Sequence, residues 1–268
     1  MSSYKYSVYN SAKHSRRRSG GGGGGRGRGG ASRHGEYINP ARFVQAAKPR
    51  TEENAYQPTH TFDDFAINPI LKRNLKHKGF KHPTPIQDQA IPLALENNDV
   101  IGIADTGTGK TAAFALPILN TLMERQQSKA LIVAPTRELA QQIEEECRSL
   151  GKGSHLSGAL LIGGSSMGTQ LRALRARPRI VIGTPGRIKD HIERGTLPLS
   201  HFNMVVLDEV DRMLDMGFIN DVTSILNGLA PQRQSFFFSA TIDSRVQGLI
   251  NTFARDPKTV SVKTGDSS

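Results

Sequence analysis

Seven short apolar runs dominate the chain after Phe62: Val100 to Ala104, Ala130 to Ala134, Gly158 to Ile162, Ile180 to Gly183, Met204 to Leu207, Ser235 to Phe238 and Thr259 to Val262. They are continuous rather than alternating with polar residues, which is what strands covered on both faces require. Helix-like stretches separate them, and that order predicts an α/β fold with a mostly parallel, doubly wound sheet. Two helix starts are written locally, because Asn68 before Pro69 and Thr84 before Pro85 each set a capping side chain ahead of a proline at the first helical position. A third helical stretch is expected from Asp243 to Phe253. Strand order is not encoded by any one run, and no internal repeat is evident.

At 268 residues and 37% hydrophobic, the chain has material for one domain of about 200 residues plus a tail. Charge marks the tail. Residues 1–60 carry 11 Lys and Arg against three acids, which is +8 of the formal +11. Within that segment SRRRSGGGGGGRGRGG, with Arg16, Arg17, Arg18, Arg26 and Arg28 followed by Arg33, has nothing apolar to bury and is expected to be disordered. Two readings stay open for it, an RNA-holding arginine/glycine segment and a solubilising leader. The stretch Ile38 to Ala47 is read as linker, with a docking peptide as the alternative. A single cysteine, Cys147, offers no internal disulfide, and no run approaches the length of a membrane span, so a soluble chain of a reducing, cytoplasmic compartment is expected.

Chemistry concentrates in two places. Ala104, Asp105, Thr106, Gly107, Thr108, Gly109, Lys110 and Thr111 lie between the first expected strand and a helix. The glycines let backbone N–H groups curl around phosphate oxygens, the helix start favours negative charge, Lys110 can reach terminal phosphates and Thr111 can hold Mg²⁺. The usual phosphate-loop pattern opens on Gly where this chain has Ala104, and a ligand-free Gly-rich turn is the competing reading. About a hundred residues on, Asp208 and Glu209 directly follow a buried run. Asp208 is suited to the same Mg²⁺ and Glu209 to activating a water, although an acidic helix cap would look the same in isolation. Both halves of a nucleotide-hydrolysis site at strand ends favour the catalytic reading.

With those residues in place, Phe62 to Val262 resembles the DEAD-box RNA helicases of superfamily 2. Phe62 and then GFKHPTPIQ, Gly79 to Gln87, resemble the family's adenine-reading Q motif. Ala104 to Thr111 resembles motif I, PTRELA from Pro135 motif Ia, Gly163-Gly164 the paired glycines, TPGR from Thr184 motif Ib and SAT from Ser239 motif III. The family tetrapeptide departs by one residue, reading Asp208-Glu209-Val210-Asp211 with Val210 for Ala. The resemblance implies a RecA-like domain that binds ATP and Mg²⁺, with Phe62 packing on adenine and Gln87 bonding its edge. It implies catalytic roles for Lys110, Asp208 and Glu209, and a coupling link from Asp211 to Ser239 and Thr241. It also implies sequence-independent RNA contacts at Thr136, Arg137, Gly163, Gly164, Thr184, Pro185, Gly186 and Arg187, where the bland alternative is helix capping or an Arg137–Glu138 pair.

Only 27 residues follow Thr241. The family's second lobe, with its arginine fingers, is therefore expected to be absent from residues 61–268, and this chain to bind ATP while hydrolysing it poorly without such a lobe in trans. Two functions stay in view: the ATP-binding lobe of an RNA-dependent helicase, and a hydrolytically silent ATP/RNA module that regulates a complete one. A DNA-acting superfamily 2 translocase is weaker, because Phe62 with Gln87 would not be expected there.

Overall fold

The computed structural model of the chain describes residues 56–262. The tail arginines, the Ile38 to Ala47 stretch and the polar C-terminal end lie outside the described residues.

Two helices precede the first strand. The α1 helix (Pro69–His77) starts where Asn68 Oδ1 accepts from Ile70 N at 2.9 Å, and α2 (Pro85–Leu95) where Gln87 Oε1 accepts from Thr84 N at 3.1 Å. Then strands and helices alternate: β1 (Val100–Ala104), α3 (Lys110–Glu124), β2 (Ala130–Val133), α4 (Arg137–Leu150), β3 (Gly158–Leu161), α5 (Met167–Arg175), β4 (Ile180–Gly183) and α6 (Pro185–Glu193). The order continues through β5 (Met204–Leu207), α7 (Val210–Asp215), α8 (Ile219–Gly228), β6 (Gln234–Ser239), α9 (Ser244–Phe253) and β7 (Lys258–Val262). The expected runs differ from these strands by one residue at most at either end. At β6 the polar Gln234 extends the strand because its amide is satisfied by the carbonyls of Ala94 and Asn98, at 2.8 and 2.9 Å.

The sheet runs β3-β4-β2-β5-β6-β1-β7, with every neighbouring pair parallel. Alternate residues along each strand feed two cores. Ile132, Val206, Phe236 and Phe238 face α1 to α4, whereas Leu131, Val205, Leu207 and Phe237 face α6 to α9. Gly102 of β1 sits under the Phe238 ring, where a Cβ would overlap that ring, and Phe238 in turn packs on Phe114 of α3 at 5.4 Å between centroids. At the strands' N-terminal rim, Asp99 accepts from Ser235 N and Arg255 N, both at 2.7 Å, and so ties β1 and β6 to the turn that leads into β7.

Residues 56–60 are docked too. Asp88 of α2 accepts from the Tyr56 hydroxyl at 2.5 Å, Thr59 N at 2.8 Å and His60 N at 3.0 Å, with His60 Nδ1 2.8 Å away. The charge-based tail, residues 1–60, overlaps this strap.

Candidate active site

A parallel sheet delivers all its strand C-termini to one rim, and strand order decides which loops meet there. Because β5, β6 and β1 are neighbours, the loops that open at Leu207, Ser239 and Ala104 lie side by side.

After β1 the chain turns through Gly107 at φ 80° and Gly109 at φ 92°, left-handed conformations that glycine adopts without a Cβ penalty. The Thr108 hydroxyl braces this loop by donating to Asp105 O at 2.7 Å. Gly109 then caps α3, whose first residues are Lys110 and Thr111. The Lys110 side chain is buried and its Nζ has no hydrogen-bond partner. An ammonium held out of water without an acceptor is costly, and an oxygen ligand at this loop would relieve that cost.

After β5, Asp208 is 2% exposed. Burial pushes its carboxyl up to about 6, the Lys110 charge pulls the other way, and neighbouring Glu209 adds to the rise. Glu209 takes a left-handed φ of 54° at the cap of α7, its N–H donates to Asp208 Oδ1 at 3.0 Å, and its carboxylate is paired with Arg212 at 2.9 Å. The i to i+3 spacing of Glu209 and Arg212 was in the sequence, but the sequence reading did not single out Arg212. Among the described residues no group of three or more His, Cys, Asp or Glu forms a metal cage. Mg²⁺ seldom needs one, since it takes one or two protein oxygens together with phosphates and water. A desolvated carboxylate beside an unpartnered ammonium is a donor set compatible with a divalent cation and phosphate oxygens.

Asp211, in the first turn of α7, reaches the end of β6 and the residues after it. Its Oδ2 accepts from Thr241 N and from the Thr241 hydroxyl, both at 2.9 Å. Ser239 Oγ accepts from Asp211 N at 3.2 Å and donates to Thr241 O at 2.7 Å. Burial raises the Asp211 carboxyl, yet the Thr241 bonds outweigh it and hold it below the usual range.

Gln87 reaches the 104–111 loop, whereas Phe62 packs among aromatic rings. Gln87 is 1% exposed, and its Nε2 donates to Gly109 O at 3.0 Å, which ties α2 to the phosphate loop. Phe62 is buried, edge-on to Phe65 and Phe80 at 5.9 and 5.8 Å.

The other half of the rim belongs to β3, β4 and β2. Pro135, Thr136, Arg137, Gly163, Thr184, Gly186 and Arg187 line an open cleft of about 540 Å³. Thr136 caps α4 through Leu139 N at 3.2 Å, so the capping role is real there. The Arg137 guanidinium lies over the paired glycines rather than beside Glu138, and a Cβ at Gly164 would overlap it. Arg187 donates to Ser165 O at 3.4 Å and faces Asp190 at 3.7 Å. The same cleft is closed by Met216 and Phe218, which the sequence reading passed over; Met216 is 49% exposed, and Gly217 between them, at φ 84°, was the available signal.

The model of the DEAD/DEAH box helicase family matches residues 84–249. The DEAD-box ATP-dependent RNA helicase CshA of Bacillus licheniformis is 46% identical over 206 residues, 76% of this chain and 42% of that protein. The ATP-dependent rRNA helicase rrp-3 of Neurospora crassa is 47% identical over 206 residues, 76% of this chain and 40% of that one. Among solved structures, a DEAD box protein from Methanococcus jannaschii superposes with a TM-score of 0.72 at 39% identity, over 76% of this chain and 56% of that one. The chain thus spans about two-fifths of the length of the curated relatives it matches.

Proposed function

This chain belongs to the DEAD/DEAH box helicase family, and from that premise we propose that residues 61–268 form the ATP-binding lobe of an ATP-dependent RNA helicase, preceded by a basic tail. The observation that carries this reading is the buried, unpartnered Lys110 ammonium beside desolvated Asp208, at the junction of three adjacent strand ends.

Each residue then has a task. The 104–111 loop cradles phosphates with its N–H groups, Lys110 neutralises the terminal ones, and Thr111 with Asp208 holds Mg²⁺, which when bound withdraws charge from the phosphate oxygens. Glu209 accepts the proton of the attacking water. Gln87 spends one donor on Gly109 O and one acceptor site on Thr84 N, and an amide retains one more of each for an adenine edge beside Phe62. The lattice of Asp211, Ser239 and Thr241 connects the hydrolytic carboxylates to β6 and so couples the phosphate site to the rim. RNA lies along Thr136, Arg137, Gly163, Gly164 and Thr184 to Arg187, held by N–H, hydroxyl and guanidinium donors that read no base. A second RecA-like lobe closing on this rim would complete the hydrolytic site. Intact Lys110, Asp208 and Glu209 favour this enzyme over a silent module that regulates a complete helicase.

The test is binding of a fluorescent ATP analogue to the chain and to Lys110→Gln, followed by RNA-stimulated hydrolysis when a second lobe from a relative is added. Loss of nucleotide binding in the variant, and turnover in the mixture that Glu209→Gln abolishes, are expected. Equal nucleotide affinity with and without the Lys110 ammonium overturns the reading.

A further inference from the structure

From Pro69 to Gln87 the chain carries Lys72, Arg73, Lys76, Lys78 and Lys81 and not one Asp or Glu. The local geometry concentrates these charges. Leu71 and Leu75 are buried, and Asn74 Nδ2 donates to Leu150 O and Lys152 O at 2.7 and 2.9 Å, so α1 is locked by one face onto the C-terminal end of α4. Lys72, Arg73, Lys76 and His77 are thereby set on the outward side, where with Pro69 and Asp63 they line a shallow concavity of about 550 Å³. Lys72 with Lys76 and Arg73 with His77 are one helical turn apart, the spacing at which like charges oppose helix formation.

Few acids relieve this. Asp63 pairs with Lys76 at 3.0 Å, but both side chains are more than half exposed, and Lys78 pairs with Glu146 of α4 at 2.8 Å. Among the described residues Arg73 and Lys81 make no ion pair. The outward face of α1 offers no large apolar anchor, which a protein partner would use and a membrane surface would need. A rigid array of cations with no apolar anchor matches a phosphate backbone.

We propose that the outward face of α1, continued by Lys81, is a second RNA-binding surface that grips the phosphate backbone of a strand or duplex extending beyond the rim cleft. It rests on the reading of that cleft as an RNA site. Arg137 opens α4 and Leu150 closes it, so the two surfaces lie about 20 Å apart along a 14-residue helix. An RNA confined to the cleft does not reach α1; a longer one does.

The experiment compares the full chain with Arg73→Gln/Lys76→Gln/Lys81→Gln, and with the charge-preserving Arg73→Lys/Lys76→Arg/Lys81→Arg. Each is titrated with a labelled RNA of about six nucleotides and one of about twenty across a salt series, within the range of single-strand site sizes and beyond it. The neutralised variant should bind the long RNA roughly tenfold more weakly at low salt. Its slope of log affinity against log salt should fall by about 2, three contacts at ~0.7 each. Its affinities for the short RNA and for ATP should be unchanged, and the charge-preserving variant should restore long-RNA binding. Equal losses on short and long RNA, or no loss on either, overturn the proposal. So does retention of long-RNA binding alongside lost binding to phosphatidylserine vesicles, which would assign the surface to a membrane. Failure of the unmodified chain to hold the short RNA, with the long-RNA loss intact, would sink the cleft reading and leave the α1 surface standing.

Discussion

Gln87 shows how much one side chain is asked to do, since its amide bridges the cap of α2 and the last carbonyl of the phosphate loop. Gln87→Ala should therefore weaken ATP binding and erase the preference for ATP over GTP. Losing paired hydrogen bonds at a buried polar site costs about 1–3 kcal/mol, and competition titrations with the two nucleotides read both effects. If the unmodified chain holds GTP as tightly as ATP, the adenine role of Gln87 is wrong. Val210 is a different case. It is fully buried at the start of α7, packed in the core shared with Met213, Val222 and Val246. The larger side chain at this position is thus a packing residue, and restoring the family's alanine by Val210→Ala removes two methyl groups from a filled site. A loss of about 2 kcal/mol is expected, seen as a melting temperature lower by roughly 4–8 °C, with ATP affinity retained. A variant that melts with the parent would show that the neighbours close over the gap.

Among elements, the strap over α2 carries a pH dependence whose sign is fixed by Asp88. Burial raises that carboxyl, but the hydroxyl of Tyr56, the N–H of Thr59 and the N–H and ring of His60 together hold it below the usual carboxylate range. Its stabilisation is present above the unfolded value near 3.9 and is lost as pH falls through that value toward the lower folded one. Asp88→Asn should cost about 2 kcal/mol at pH 7, with the gap to the parent closing toward pH 3 in urea titrations. A gap independent of pH would refute the assignment. Asp88 was not legible in the sequence, because nothing about a lone acid in PTPIQDQA announces partners 28 to 32 residues upstream. The helices were more open to reading: Asn68 and Asp243 accept from Ile70 N and Val246 N as their cap positions require. The strands were nearly complete in advance, since a run such as Ile180 to Gly183 has no polar residue to confuse its ends. What stayed hidden was their order, because β1 bonds β6 more than a hundred residues away, and hydrophobic runs of equal character carry no address. For the same reason the convergence of Thr241 with Asp211 followed only from family resemblance until the hydrogen bonds showed it.

For the whole molecule, the charge of residues 1–60, +8 from 11 Lys and Arg against three acids, outweighs the +3 of the remainder. Counterion release scales with the phosphates neutralised, so this segment should supply much of the salt dependence of RNA binding. Removing it should flatten the plot of log affinity against log salt and weaken RNA binding, with ATP affinity nearly unchanged because Phe62 and all that follows remain. An identical slope after the deletion would make the segment a passive leader. Strand order also divides the rim. The loops of β5, β6 and β1 hold Asp208, Glu209, Ser239, Thr241 and Lys110, those of β3, β4 and β2 form the cleft of Arg137 and Arg187, and the two sets meet where β5 lies against β2, with Asp208 N donating to Val133 O at 3.0 Å. Both sets leave the sheet on the same side, and the opposite edge, knotted by Asp99, carries none of these loops. That edge is a mounting plate. A tether or dye attached at exposed Ser200 or His201, between α6 and β5, would orient every molecule on a sensor chip with its rim loops toward the solution.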